Sequence, residues 1–240
     1  FEVTLDHALA MKAAEDALLL KELIKGTARN HGLSATFLAK PFADDAGSGL
    51  HLHSSVLDAQ GGNIFDDGGE RGTDALAHAI AGCLAAMPAS TVFFAPHPMS
   101  YARFVDHAHA PTSATWGYDN RTVALRVPSG PTAARRFEHR VAGGDANPYL
   151  LFAAVLGAAL EGMEKCEAPP PATKGNAYEA NAPRLAPSLE AAIPRLAEPD
   201  ITAFFHPELL ENLARTKRQD LAKCAALSEP ELTQILFETV

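Results

Sequence analysis

The sequence predicts an α+β domain, and three observations predict it. Short segments such as 49–56 and 135–140 alternate side chains with the period of two that an extended chain imposes. Other stretches, before and after them, repeat apolar residues at helical spacing. With 240 residues, 47% of them hydrophobic, the chain can bury one sizeable core. Neither an internal repeat nor a clear linker divides it, so residues 1–240 read as one domain.

Taken in order, Phe1 to Leu5 alternates and reads as a strand fragment. From Met11 to Arg29, Ala13, Ala17, Leu20, Ile24 and Ala28 recur at helical spacing, and Asn30-His31-Gly32 stops the helix. Ser34 to Phe42 is rich in β-formers, with Pro41 marking its end. A turn through Gly47-Ser48-Gly49 feeds the next strand, and Gly61-Gly62 and Gly68-Gly69 punctuate an exposed loop. Thr73-Asp74 caps a helix that turns Leu76, Ile80, Leu84 and Met87 inward until Pro88, beyond which Ser90 to Phe94 can continue helically. Ala95 to Asn120 reads as a long irregular stretch, which is rare in a compact domain unless it is functional. Arg121 to Val127 is a strand, and Pro128-Ser129-Gly130-Pro131 turns the chain into 135–140. Asn147-Pro148 combines a capping side chain with proline at the first helical position. The helix it opens, Tyr149 to Met163, is apolar nearly all round and is expected to be buried. After the break at Ala168 to Pro171, helices are expected at Ser188-Leu189-Glu190 and from Glu208 to Ala226.

A net charge of −9 argues against a general nucleic-acid binder, which carries a basic face. Arg121, Arg126, Arg135, Arg136 and Arg140 are therefore a local positive island, suited to small anions. Three well-separated cysteines fit a reducing compartment rather than a disulfide framework. No run approaches the ~18 apolar residues of a membrane span, and with no signal peptide in view the expected location is cytoplasmic. The opening Phe1-Glu2-Val3 reads as the middle of a strand, as in a piece of a longer protein.

The chemistry lies in two strands. In 135–140, Arg136, Glu138 and Arg140 project from one face, with Phe137 and His139 on the other. Guanidinium groups flanking a carboxylate make a poor core, because buried charge is costly unless paired. They suit a pocket where a cation sits on the glutamate and anions dock on the arginines. In 49–56, His51, His53 and Ser55 share a face against Leu50, Leu52, Ser54 and Val56. His51, Glu138 and Glu2 offer one imidazole and two carboxylates, a set that suits Mg²⁺ or Mn²⁺ better than structural zinc. A metal with several arginines points to phosphoryl transfer.

These residues carry a resemblance. Gly47-Ser48-Gly49-Leu50-His51-Leu52-His53, Ser100-Tyr101-Ala102-Arg103, Asn120-Arg121-Thr122, Arg126-Val127-Pro128, Arg135-Arg136-Phe137-Glu138-His139-Arg140 and Ala146-Asn147-Pro148-Tyr149 are similar, in order and spacing, to successive motifs of the glutamine synthetase family. The likeness runs along essentially the whole chain and covers the family's catalytic domain without its N-terminal β-grasp domain. It implies a curved antiparallel sheet cradling the site, with helices packed outside. It implies metal binding by Glu2, His51 and Glu138. His53, Ser55, Arg121, Arg126 and Arg136 fall on positions around ATP; Gly47, Arg103 and Arg140 fall on positions that hold the acid substrate. Catalytic roles are implied for Arg121, Arg103 and His109. The implied reaction joins glutamate to ammonia through γ-glutamyl phosphate, with ATP and Mg²⁺ or Mn²⁺. Its implied setting is a homo-oligomeric, dodecamer-like ring whose sites lie between subunits, with no nucleic-acid or membrane partner.

Two departures bear on the substrate. His109 stands where the family carries a flap glutamate that binds and deprotonates ammonium, and Ala46 stands where an asparagine contacts glutamate. Both fit the branch that ligates larger amines, such as polyamines. His107 and His109 as a second metal site are outweighed by an ordinary loop, and Tyr178, though near a tyrosine that some members adenylylate, has a different context. Two other classes compete: a catalytically silent scaffold, which would not need the metal residues and arginines, and a phosphotransferase acting on guanidino compounds, which would not need His51.

Overall fold

The alternation of 135–140 sets the centre of the fold. In the computed structural model, which describes residues 1–105 and 110–240, Phe137–His139 form a strand, β4, at the interior of a four-stranded sheet. The others are β1 (Leu52–Ser54), β2 (Trp116–Tyr118) and β3 (Leu125–Val127), in the order β1-β4-β3-β2. His53 pairs with Glu138, and Arg126 pairs with the same Glu138 from the other side. Strand register thus brings histidine, glutamate and arginine into one row. On the opposite face Phe137 meets Phe65 at 6.2 Å and His139 meets Phe94 at 4.5 Å between ring centroids, so that side belongs to the apolar core.

Helices pack around this sheet. In chain order they are α1 (Ala10–Asn30), α2 (Asp74–Ala86), α3 (Thr91–Phe94), α4 (Pro148–Lys165), α5 (Leu189–Ala192), α6 (Pro199–Thr202), α7 (Pro207–Cys224) and α8 (Glu229–Thr239). The expected start signals do their work. Thr73 Oγ1 accepts from Leu76 N, and Asn147 Oδ1 accepts from Leu150 N ahead of Pro148. The α1 stop is a left-handed Gly32 (φ 70°). Its N–H reaches Arg29 O while Leu33 N–H reaches Ala28 O, the paired bonds that satisfy the last carbonyls of a helix. Leu76, Ile80, Leu84 and Met87 are all buried, as their spacing requires. α2 and α4 cross at Gly82 and Gly162, where backbone meets backbone: a Cβ on Gly82 would lie 2.6 Å from Gly162 N, and one on Gly162 would lie 2.6 Å from Gly82 N.

The α+β class holds, but several expectations need correcting. The sheet is mixed, since β2 and β3 run parallel while the other two pairings are antiparallel. Phe1–Leu5 is exposed and unpaired, because no neighbouring strand meets its alternation. Segment 34–42 forms no strand either, although Leu38 and Ala39 are buried. The strands expected at 49–56, 121–127 and 135–140 pair over three residues each. The stretch 95–120 is not all irregular: it holds a 3-10 helix at Pro98–Arg103 and β2. The α4 helix is buried along one side only, leaving Tyr149 and Leu160 exposed. Among the described residues no helix is long and apolar enough to cross a membrane.

Candidate active site

Glu138 is the hub, 3% exposed. Its Oε1 accepts from Arg140 Nη1 at 2.6 Å, with His51 Nδ1 at 3.3 Å and His53 Nε2 at 3.8 Å. Its Oε2 accepts from Arg126 Nη1 at 3.2 Å. Burial alone would raise its pKa, but the His51 contact and the charge of Arg140 outweigh that and hold it at about 2. Glu138 is therefore a carboxylate at any physiological pH. The face expected from the alternation is real: His51, His53 and Ser55 are exposed, while Leu52 and Ser54 are buried beneath them.

Arg136 Nε donates to His53 Nδ1 at 3.1 Å. That bond requires an unprotonated Nδ1, which puts the proton of neutral His53 on Nε2, the atom turned toward Glu138. Burial, opposed by Glu138 and reinforced by Arg136, keeps the pKa of His53 below the usual histidine range.

Arg103 is 4% exposed at the end of the 3-10 helix. Nη1 donates to Val141 O at 2.6 Å and Nη2 to Arg140 O at 3.4 Å, so the chain leaving β4 holds it. Two glycines make room: a Cβ at Gly49 would stand 2.7 Å from Arg103 Nη2, and one at Gly47 would stand 3.2 Å from its Cγ. This is a physical reason for Gly-Ser-Gly ahead of the histidine strand. Burial lowers the pKa of Arg103 to about 10, which still leaves it cationic.

The remaining expected residues are placed less centrally. Ser55 is exposed just past β1, and Arg121 is exposed in the turn before β3. Glu2 lies in the exposed opening segment. His109 and His107 lie outside the described residues. Of the expected metal set, His51 and Glu138 come together. Their imidazole and ionised carboxylate are donors of the kind a divalent ion takes. Arg140 already donates to Glu138 Oε1 and His53 stands back at 3.8 Å. Accordingly, among the described residues no group of three or more His, Cys, Asp or Glu is arranged to hold an ion.

Sequence reasoning missed two carboxylates. Asp119 Oδ1 accepts from Arg126 Nη2 at 2.6 Å; its only signal was an Asp-Asn pair, residues that tolerate left-handed turns. Asp145, 7% exposed, accepts from Ser100 Oγ at 2.5 Å and so ties the 3-10 helix of Arg103 to the start of α4. Burial raises the pKa of Asp145 and lowers that of nearby Lys21 to about 8, where Lys21 Nζ donates to Ala146 O at 2.8 Å.

The fold has counterparts among solved structures, and the sequence has relatives among known proteins. The structure superposes on that of GmaS without ligand with a TM-score of 0.84 and 31% identity, covering 94% of this chain and 53% of that one. Residues 1–234 match the family model of the glutamine synthetase catalytic domain. The chain belongs to the glutamine synthetase family. It is 43% identical to the gamma-glutamylputrescine synthetase PuuA of Escherichia coli over 68% of this chain and 35% of that protein. It is 35% identical to the glutamate–isopropylamine ligase of a Pseudomonas species, over 90% and 49%. It is 38% identical to the glutamine synthetase of Pyrococcus abyssi, over 74% and 40%. The chain thus spans between a third and a half of the length of these relatives.

Proposed function

We propose that the full-length protein is an ATP-dependent ligase that forms a γ-glutamyl amide from glutamate and ammonia or an amine. The observation that carries this reading is Glu138, an ionised buried carboxylate with Arg126, Arg140, His51 and His53 turned onto it. That arrangement is expensive as structure and useful as a site for phosphate and a divalent ion. Family membership favours a ligase over a phosphotransferase acting on guanidino compounds. The family is ATP- and divalent-metal-dependent in general. In this reading His51 and Glu138 would hold Mg²⁺ or Mn²⁺, which supplies charge neutralisation on phosphate when bound.

The glutamate side-chain carboxylate attacks the γ-phosphorus of ATP and displaces ADP. The amine then attacks the acyl carbon and displaces phosphate. Arg126 and Arg136 lie at the edge of the site, where guanidinium groups stabilise phosphate oxygens. In this reading Arg103 and Arg140, both buried and linked through Arg140 O, would hold the substrate carboxylate. Ala46, together with relatives named for putrescine and isopropylamine, favours a larger amine than ammonia.

The test is phosphate release from ATP by the full-length protein with glutamate and a panel of amines. Turnover with ammonia alone means a glutamine synthetase; turnover with larger amines only means a γ-glutamylamine ligase. Bound nucleotide without turnover on any amine would favour the silent scaffold.

A further inference from the structure

The turn between β2 and β3 contains a device that the proposed reaction leaves unexplained. Asp119 has a left-handed backbone (φ 48°), one of two non-glycine residues with positive φ among those described. Its N–H donates to Val127 O at 2.9 Å, which folds the turn back onto β3. The side chain is held twice: Oδ1 accepts from Arg126 Nη2 at 2.6 Å and Oδ2 accepts from Ser129 Oγ at 3.1 Å. Arg126 meanwhile donates from Nη1 to Glu138 Oε2 at 3.2 Å. One guanidinium therefore spans two carboxylates, the exposed Asp119 and the buried Glu138.

Resting on the nucleotide site proposed above, we infer that Asp119 is a positioning residue that holds Arg126 at the mouth of that site for an anionic phosphate. A guanidinium has five N–H donors, and these two bonds use two of them. Arg126 so held still has donors for a phosphate and leaves Glu138 only partly covered. Without Asp119, the remaining carboxylate within reach is Glu138. Arg126 then turns fully onto it, in the bidentate mode guanidinium prefers, and is lost to the nucleotide. Ser129 fixes the carboxylate, and the left-handed backbone aims it.

The test is ADP binding, with Mg²⁺, to the full-length protein by calorimetry. Asp119→Gly keeps the left-handed turn but removes the carboxylate. ADP affinity is expected to fall about tenfold, the scale of one charge-assisted contact, while the thermal midpoint moves little, because glycine keeps the left-handed turn and an exposed ion pair contributes little. Asp119→Asn, which keeps an acceptor, should fall between. In an Arg126→Gln background, Asp119→Gly should cost nothing further. Equal loss in both backgrounds, or no loss in either, overturns the inference and leaves the nucleotide site standing. A wild-type protein that binds no ADP removes the site and the inference together.

Discussion

The crossing of α2 and α4 and the charged face of β4 are held together in opposite ways. At the crossing, side chains are absent: Gly82 and Gly162 let two backbones touch, and a short way along α4 Gly157 lies flat against the Phe204 ring. On β4, side chains are everything, with two arginines and two histidines around one carboxylate. The first arrangement tolerates no added atom and asks nothing of charge. The second costs desolvation that a purely structural domain would avoid. One region serves stability, and the other serves the reaction proposed above.

The largest effect should come from filling the crossing. A Cβ at Gly82 would strike the Ala158 carbonyl and the Gly162 backbone, which have no free side-chain end to swing aside. Gly82→Val should destabilise by at least about 3 kcal/mol, the upper range of overpacking, and leave little folded protein in a thermal melt by circular dichroism. A normal melt would mean the two helices are free to slide apart. The reverse pattern is expected at Glu138→Gln. Phosphate release should fall about 10²–10³-fold, the scale of one preorganised electrostatic group, with a stability loss of only about 1–3 kcal/mol from the weakened hydrogen bonds. Retained turnover would end the idea that the charged face is the site.

The two regions were also unequally legible in the sequence. The faces of 49–56 and 135–140 could be read because a period of two needs no knowledge of partners. Strand length could not, since pairing depends on neighbours distant in sequence. Phe1–Leu5 alternates as well as any segment yet meets no strand. β2 hid among the prolines and histidines of 95–120, and no local signal announces its parallel pairing with β3, which so short a connection argues against. The Gly82–Gly162 contact is invisible to periodicity, because a glycine reads as a gap in an apolar face. Asp119 and Asp145 act through Arg126 and Ser100, contacts that exist only once the chain is folded.

A milder change should separate the site from the frame around it. At Gly49 an added Cβ would meet Arg103 Nη2 at 2.7 Å, a side-chain end rather than a backbone. Arg103 can yield, but only by leaving its bond to Val141 O. Gly49→Ala should therefore fold normally while kcat/KM for the acid substrate drops about 10–100-fold, as misplacement by about 1 Å produces. An unchanged kcat/KM would show that Arg103 does not hold the acid.

The smallest effect is one of pH, and it concerns a residue with charged groups of α1 and α7 around it. His97 caps the 3-10 helix that carries Arg103. Its pKa is lowered from 6.5 to about 4, chiefly by burial, with Lys217 and Lys21 pushing further down and Asp220 opposing. The folded state thus prefers neutral His97 more than the unfolded chain does. The preference counts in full above pH 6.5 and is lost as pH falls from 6.5 toward about 4. At pH 6 the loss is about 0.8 kcal/mol, steepening toward ~1.4 kcal/mol per unit below that. Urea midpoints at pH 7.5 and pH 6 should therefore differ more for wild type than for His97→Gln, which has no proton to gain. Equal differences would mean that His97 is solvated and that the helix carrying Arg103 is looser than the packing around α2 and α4.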